Sequence, residues 1–326
     1  MPALPKEIIG HSAEQAQLLA DIAKDNVSHA YLLTGPKHLG KFTIAKWFAW
    51  RILADQKTPE ETDAIKDQIE RMIHPDFLCL DQLWIEEIQD DWKIIGQYSN
   101  VQQQHRSKAP AAKTDTISIE DVRALQQRLH ETGASKRLCC LIRSIDRMQP
   151  AAANAFLKVL EEPPPRVAFV LTAESEHSVL PTIASRTRIL RFHPVSVADM
   201  QPMLAGFDEE EAAFALHLSQ GAPGTLRSLL SSPEELRAKR QLHGQAKQFW
   251  QARTLHERLQ WILPALEKKQ DLDELLLHLG LALREHPDVA RRQQSQQAYM
   301  ALIRGLRTNA HRGLLLEQFA LAVTES

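Results

Sequence analysis

The residues Gly35-Pro36-Lys37-His38-Leu39-Gly40-Lys41-Phe42 place a glycine, four residues, then glycine and lysine between an apolar run at 30–34 and a helical pattern at 43–53. Strand, loop and helix in that order are the setting of a phosphate-binding loop. Glycines let backbone amides turn toward phosphate oxygens, the lysine reaches the outer phosphates, and the helix dipole favours negative charge. Gly35, Gly40 and Lys41 are therefore the candidate nucleotide-binding residues. The rest of the chemistry is incomplete. The position after the lysine should offer a hydroxyl to Mg²⁺, and Phe42 has none; Thr43 lies ~100° further around the helix. His38 occupies a place that suits glycine best. A carboxylate is also expected after a neighbouring strand, to hold the metal and polarise water. The buried-looking run at 138–142 is instead followed by Arg143-Ser144-Ile145-Asp146, where Asp146 comes too late to substitute. Two readings stay open: a vestigial loop, or weak, magnesium-independent nucleotide binding. Neither includes hydrolysis by this chain.

The elements that must position this loop can be read from the remainder of the 326 residues. With 44% hydrophobic and 25% charged residues, the composition is that of an ordinary globular protein and excludes a disordered chain. No run approaches the ~20 apolar residues of a membrane helix. Residues 1–7 lack a charged-then-apolar signal, so a cytoplasmic location is expected. A net charge of −2 supplies no global field toward DNA, which leaves a local patch or partner proteins for any nucleic-acid contact. Cys79, Cys139 and Cys140 lie in apolar segments and read as reduced core residues. Gly-x-Ser-x-Gly and His-Glu-x-x-His are absent, so hydrolase and protease readings have no support.

Before about residue 193, short β-rich runs alternate with helical patterns; after it, nearly everything is helical. Strands are expected at 30–34, 76–80, 138–142, 167–172 and 188–192, in a parallel sheet flanked by helices. Ser12-Ala13-Glu14-Gln15 and Ser118-Ile119-Glu120-Asp121 read as capping boxes. Pro150 opens a helix that the prolines at 163–165 end. The polar stretch from Gln97 through Ala112, between Asp91 and Thr116, reads as a mobile loop. Ser232-Pro233 starts a long helix, and further helices follow at 272–285, 289–306 and 312–323. No repeat of 20–50 residues is apparent.

Several segments together resemble the AAA+ clamp-loader subunits, and among them the delta-prime type of bacterial DNA polymerase III. They are Ile9-Gly10-His11, Ser28-His29-Ala30-Tyr31-Leu32-Leu33-Thr34-Gly35-Pro36, His74-Pro75-Asp76 and Ile117-Ser118-Ile119-Glu120-Asp121-Val122-Arg123. The most specific block runs from Ile145-Asp146-Arg147-Met148 through Ala151 to Leu160-Glu161-Glu162-Pro163-Pro164, and on to Leu180-Pro181-Thr182-Ile183-Ala184-Ser185-Arg186. The resemblance implies an α/β P-loop AAA+ core with a five-stranded parallel sheet (1–193), a small helical lid (194–231) and an all-α collar (232–326) that oligomerises. It also implies that Ser185 and Arg186 hold the place of an arginine finger entering a neighbouring subunit's ATP site, although Thr187 stands where a cysteine is usual. From the residues alone, Arg186 could equally be a salt-bridged surface arginine.

Other positions depart from the family. Residues 55–73 hold no cysteine and Cys79 alone cannot build a tetrahedral site, so no zinc is expected. The lid's sensing arginine corresponds to Gly224, with Arg227 three residues on, and Thr172 takes the place of a polar sensor. The collar resemblance is carried by Arg307-Thr308-Asn309 and Leu314-Leu315-Leu316-Glu317. Residues 289–316 hold five arginines and no acid, either a solvated face or one for DNA or a partner.

The implied protein is a non-hydrolysing clamp-loader subunit in a hetero-oligomer, with no cofactor of its own and ATP bound by its neighbours. Its partners would be gamma/tau-like ATPase and delta subunits and, through the complex, the sliding clamp and primed DNA, with no membrane. An active AAA+ ATPase, as a motor clamp-loader subunit or a helicase motor, is the alternative. An AAA+ adaptor without a replication role is a third.

Overall fold

The computed structural model describes residues 8–80, 84–88, 91–95, 116–129, 135–266, 272–306, 308 and 310–324. The chain divides into two compact units, Met1–Ser228 and Leu229–Ser326.

The first unit opens with α1 (Ser12–Ala23), β1 (Ala30–Thr34), α2 (Lys41–Leu53), α3 (Pro59–Glu70) and β2 (Phe77–Leu80). A hairpin of β3 (Trp84–Ile88) and β4 (Asp91–Ile95) follows, then α4 (Ile119–Leu129), β5 (Leu138–Ile142), α5 (Pro150–Glu161), β6 (Val167–Ala173), the short α6 (Pro181–Ala184) and β7 (Arg188–Arg191). The five-stranded sheet is ordered β2-β5-β6-β1-β7 and every pairing in it is parallel. Leu32 of β1 is in register with Leu171 of β6 on one side and Ile189 of β7 on the other. All residues of β1, β2, β5 and β6 are buried, as continuous apolar runs in a sheet covered on both faces should be. One face packs against α4 and α5 through Val122, Leu125 and Phe156; the other packs against α2 through Ile44, Phe48 and Ile52. The phosphate-loop residues sit at the carboxyl end of β1, inside the sheet, where open α/β sheets bind ligands.

Helices α7 (Val197–Met200), α8 (Glu209–Ser219) and α9 (Pro223–Ser231) follow. The second unit is built from α10 (Pro233–Gln251), α11 (Leu255–Leu266), α12 (Leu272–Arg284), α13 (Val289–Leu306) and α14 (Arg312–Thr324). Phe249, Trp250, Leu279, Leu302 and Phe319 form its core, and the Trp250 indole N–H donates to the Leu279 carbonyl at 2.9 Å.

The second expected capping box holds: Asp121 N–H donates to Ser118 Oγ at 3.3 Å, and Ser118 N–H donates to Asp121 Oδ2 at 2.8 Å. The first does not. His11, not Ser12, precedes the first turn of α1, in a left-handed conformation (φ 57°) without a side-chain cap. The His11 ring holds that position by donating from Nε2 to the Leu39 carbonyl at 2.9 Å and packing on Phe192, and Gln15 donates to the Gly10 carbonyl instead of accepting an amide. The strand β4, which pairs antiparallel with β3, ends before the expected loop at 97–112, and that loop lies outside the described residues. Helix α3 has no counterpart among the expected elements, although Thr58 and Glu61 form a complete capping box at its start.

Candidate functional site

Gly35 and Gly40 are the hinges of the phosphate loop. At Gly35, φ is 147° and a Cβ would run into the Phe192 carbonyl; Gly40, at φ 92°, is the residue on which α2 begins. His38 occupies the left-handed region at φ 62° without glycine's freedom. Lys41 turns back onto its own loop, donating from Nζ to the carbonyls of Gly35 at 2.5 Å and Pro36 at 2.6 Å. Burial lowers its pKa to about 8. Lys37 is paired with Glu174 at 3.1 Å. Burial, and then the charges of Lys37, Lys41 and Arg143, lower the pKa of His38 and favour its neutral form.

An aromatic ring and a guanidinium stand where a magnesium site needs a hydroxyl and a carboxylate. Arg143, directly after β5, lies with its guanidinium carbon 4.9 Å from the Phe42 ring centroid, and Lys46 Nζ is 5.6 Å from the same ring. These residues do not fit a divalent cation: they supply positive charge and a π face in place of oxygen ligands. Asp146 lies near Lys41, Lys37 and Glu174. Its Oδ1 has no hydrogen-bond partner among the described residues, and burial raises its pKa. Thr172 Oγ1 accepts from the Ser144 amide at 2.9 Å, which ties the end of β6 to the turn after β5. At the start of α9, the Gly224 amide donates to the His38 carbonyl at 2.9 Å, and a Cβ on Gly224 would come within 2.8 Å of that oxygen. Helix α9 therefore meets the loop through backbone.

Ser185 and Arg186 form a separate site at the end of α6. Ser185 Oγ donates to the Thr182 carbonyl at 3.1 Å. Arg186 Nη1 donates to the same carbonyl at 2.9 Å and to Ser185 Oγ at 3.4 Å, while Nη2 donates to Glu161 Oε1 at 2.9 Å. The side chain is 37% exposed, none of these contacts involves the phosphate loop, and Nε makes no hydrogen bond among the described residues. The edge formed by Nη1 and Nη2 is thus fixed, and Nε is left without a partner among the described residues. The structure brings Gly35, Gly40 and Lys41 into one loop and keeps Arg186 apart from it. It does not reveal Glu161 as the partner of Arg186, although the Leu160-Glu161-Glu162-Pro163 segment is conspicuous, nor the pairing of Phe42 with Arg143.

Residues 10–196 match the model of the family described as DNA polymerase III, delta subunit. The DNA polymerase III subunit delta′ of Bacillus subtilis is 29% identical over 183 residues, 55% of this chain and 46% of that protein. The gamma/tau subunit of Mycobacterium bovis is 26% identical over 247 residues, 73% of this chain and 38% of that protein. The match thus spans less than half the length of these two relatives. The crystal structure of a DNA polymerase III gamma subunit-related protein from Thermotoga maritima superposes with a TM-score of 0.52 at 17% identity, covering 95% of this chain and 99% of that one, a likeness of fold. With more than half of its residues matched by the family model, and with delta′ proteins among its relatives, the chain belongs to the DNA polymerase III delta subunit family of clamp-loader proteins.

Proposed function

We propose that this protein is a non-hydrolysing, delta-prime-like subunit of the DNA polymerase III clamp loader. It serves as one member of a hetero-oligomeric ring and donates Arg186 to the ATP site of a neighbouring subunit. The observation that carries this reading is the Arg143 guanidinium over the Phe42 ring, which puts cation and aromatic where catalysis needs a metal and its ligands. Lys41, held by the loop's own carbonyls, would have to be released before it could reach a phosphate, so nucleotide binding at Gly35, Gly40 and Lys41 is weak at most.

Arg186 supports the other half of the reading. A guanidinium fixed along one edge by Thr182, Ser185 and Glu161 is preorganised to meet phosphoryl oxygens with the other, and stabilising transition-state charge in this way is worth ~10³–10⁵ in rate. Residues 1–193 act as the AAA+ core, 194–231 as the lid and 232–326 as the collar that joins the ring. The ATP belongs to gamma/tau-like neighbours; these and a delta subunit are the direct partners, with the sliding clamp and primed DNA reached through the complex. The site of action is the cytoplasmic replisome. No helix among the described residues is long and apolar enough to cross a membrane.

The test is DNA- and clamp-stimulated ATP hydrolysis by the reconstituted complex, with wild-type chain or Arg186→Ala, and assembly checked by size. The expected result is a fall on the order of 10³ at the site this chain serves, with assembly intact. An unchanged rate would make Arg186 ordinary surface and leave only the scaffold. The longer match to a gamma/tau subunit favours a second reading, an active ATPase. Turnover of Mg-ATP by the purified chain alone would establish that reading in place of the first.

A further inference from the structure

Helix α2 carries two stripes. Ile44, Ala45, Phe48, Ala49, Ile52 and Leu53 are buried against the sheet. Thr43, Lys46, Trp47 and Trp50 follow the same helical period on another side. With Lys66 and Glu70 of α3, they line a cavity of about 400 Å³. That volume is in the range of small-molecule sites, ~300–1,000 Å³. None of the lining residues belongs to the phosphate loop or the lid.

The chemistry of the wall is specific. Trp50 is fixed by its indole N–H, which donates to the Thr62 carbonyl at 2.9 Å, and its ring is covered by Lys66 at 5.2 Å and Arg51 at 5.4 Å. The Trp47 N–H has no acceptor, and Lys46 and Lys66 have no carboxylate within ion-pair distance, among the described residues. Glu70 is the single acid of the lining. Indole faces accept flat aromatic bases of any sequence, ammonium groups neutralise phosphate, and a lone carboxylate can accept from an exocyclic amine.

We infer that this cavity binds a nucleotide, free or as one residue of single-stranded DNA, with the base against Trp47 and the phosphate on Lys46 and Lys66. The site is independent of the phosphate loop, of magnesium and of the role of Arg186, so it stands or falls apart from the proposed function.

The experiment titrates the full-length chain, without magnesium, with a (dC)12 oligonucleotide and separately with dCMP, whose base carries an exocyclic amine. Tryptophan quenching and the anisotropy of labelled oligonucleotide report binding. Lys66→Glu, at an exposed position, should weaken it at least about tenfold, and Trp47→Ala at least about fivefold, with folding checked by circular dichroism. Binding of both probes places a free nucleotide in the cavity; binding of the oligonucleotide alone places a strand there. Binding unchanged in Lys66→Glu overturns the inference, as does failure of both probes to bind. So does equal quenching by poly-aspartate, which would show charge attraction alone. Loss of binding in Lys41→Ala but not in Lys66→Glu would move the ligand to the phosphate loop and overturn the inference equally.

Discussion

At the scale of single residues, the proposed function rests on two contacts: the Arg143 guanidinium lies over the Phe42 ring, and Lys41 has turned inward to carbonyls. An amine whose pKa is lowered to about 8 by burial is half neutral at that pH. Amine-selective acylation of Lys41, followed by mass spectrometry, should therefore show a midpoint near pH 8, whereas a freely solvated Lys41 would label with the ordinary lysine profile. Between about 8 and the ordinary value of 10.5, the unfolded chain holds a proton that the folded chain has released. This group's contribution to stability therefore rises with pH across that window. At the other site, Glu161 fixes one edge of Arg186. Within the reconstituted complex, Glu161→Ala should lower the neighbour's kcat about three- to tenfold with little change in KM for ATP, because orientation is lost while charge remains. Glu161→Gln keeps an acceptor oxygen and should recover most of the rate. If Glu161→Ala is silent while Arg186→Ala is not, the tether has no part in catalysis.

At the scale of elements, α9 and the loop meet through backbone, and that contact is testable. A Cβ at Gly224 would lie 2.8 Å from the His38 carbonyl, so either α9 or the loop must shift. Gly224→Ala should cost about 1–3 kcal/mol and lower Tm; an unchanged melt would mean that the lid start yields freely. Four strands of the sheet, β1, β2, β5 and β6, could be read from sequence because a strand buried on both faces is an uninterrupted apolar run, as in Leu138–Ile142, whereas β7, at the sheet edge, carries only Ile189-Leu190 between two arginines. The hairpin β3–β4 stands outside that sheet, and its mixed residues carry no such run. The Ser12 box failed for a tertiary reason, since His11 is set by contacts with Leu39 and Phe192 that no local pattern encodes. The site divides in the same way. Glycine and lysine spacing announces a phosphate loop, but the meetings of Phe42 with Arg143 and of Glu161 with Arg186 exist only once α2, β5, α5 and α6 have packed.

At the scale of the whole molecule, the proposed role separates assembly from catalysis, and the two should come apart experimentally. Helix α14 supports the assembly side. Leu316, Phe319, Ala320 and Val323 are buried in the second unit, while Leu314 and Leu321, seven residues apart and so on one helical face, remain 58% and 45% exposed. Apolar residues on a second face suit a collar packed against other subunits. If the ring is held there while Arg186 acts elsewhere, an Arg186→Ala chain assembles as well as the wild type and spoils every complex it enters. Mixing the two at fixed total amount with the ATPase partners should then lower hydrolysis in proportion to the variant fraction, with no change in the size of the complexes. Hydrolysis that instead follows only the amount of wild-type chain, with the variant left unassembled, would show that Arg186 is needed to build the ring. The arginine would then be an interface residue first, and the division of labour between the two units would be wrong.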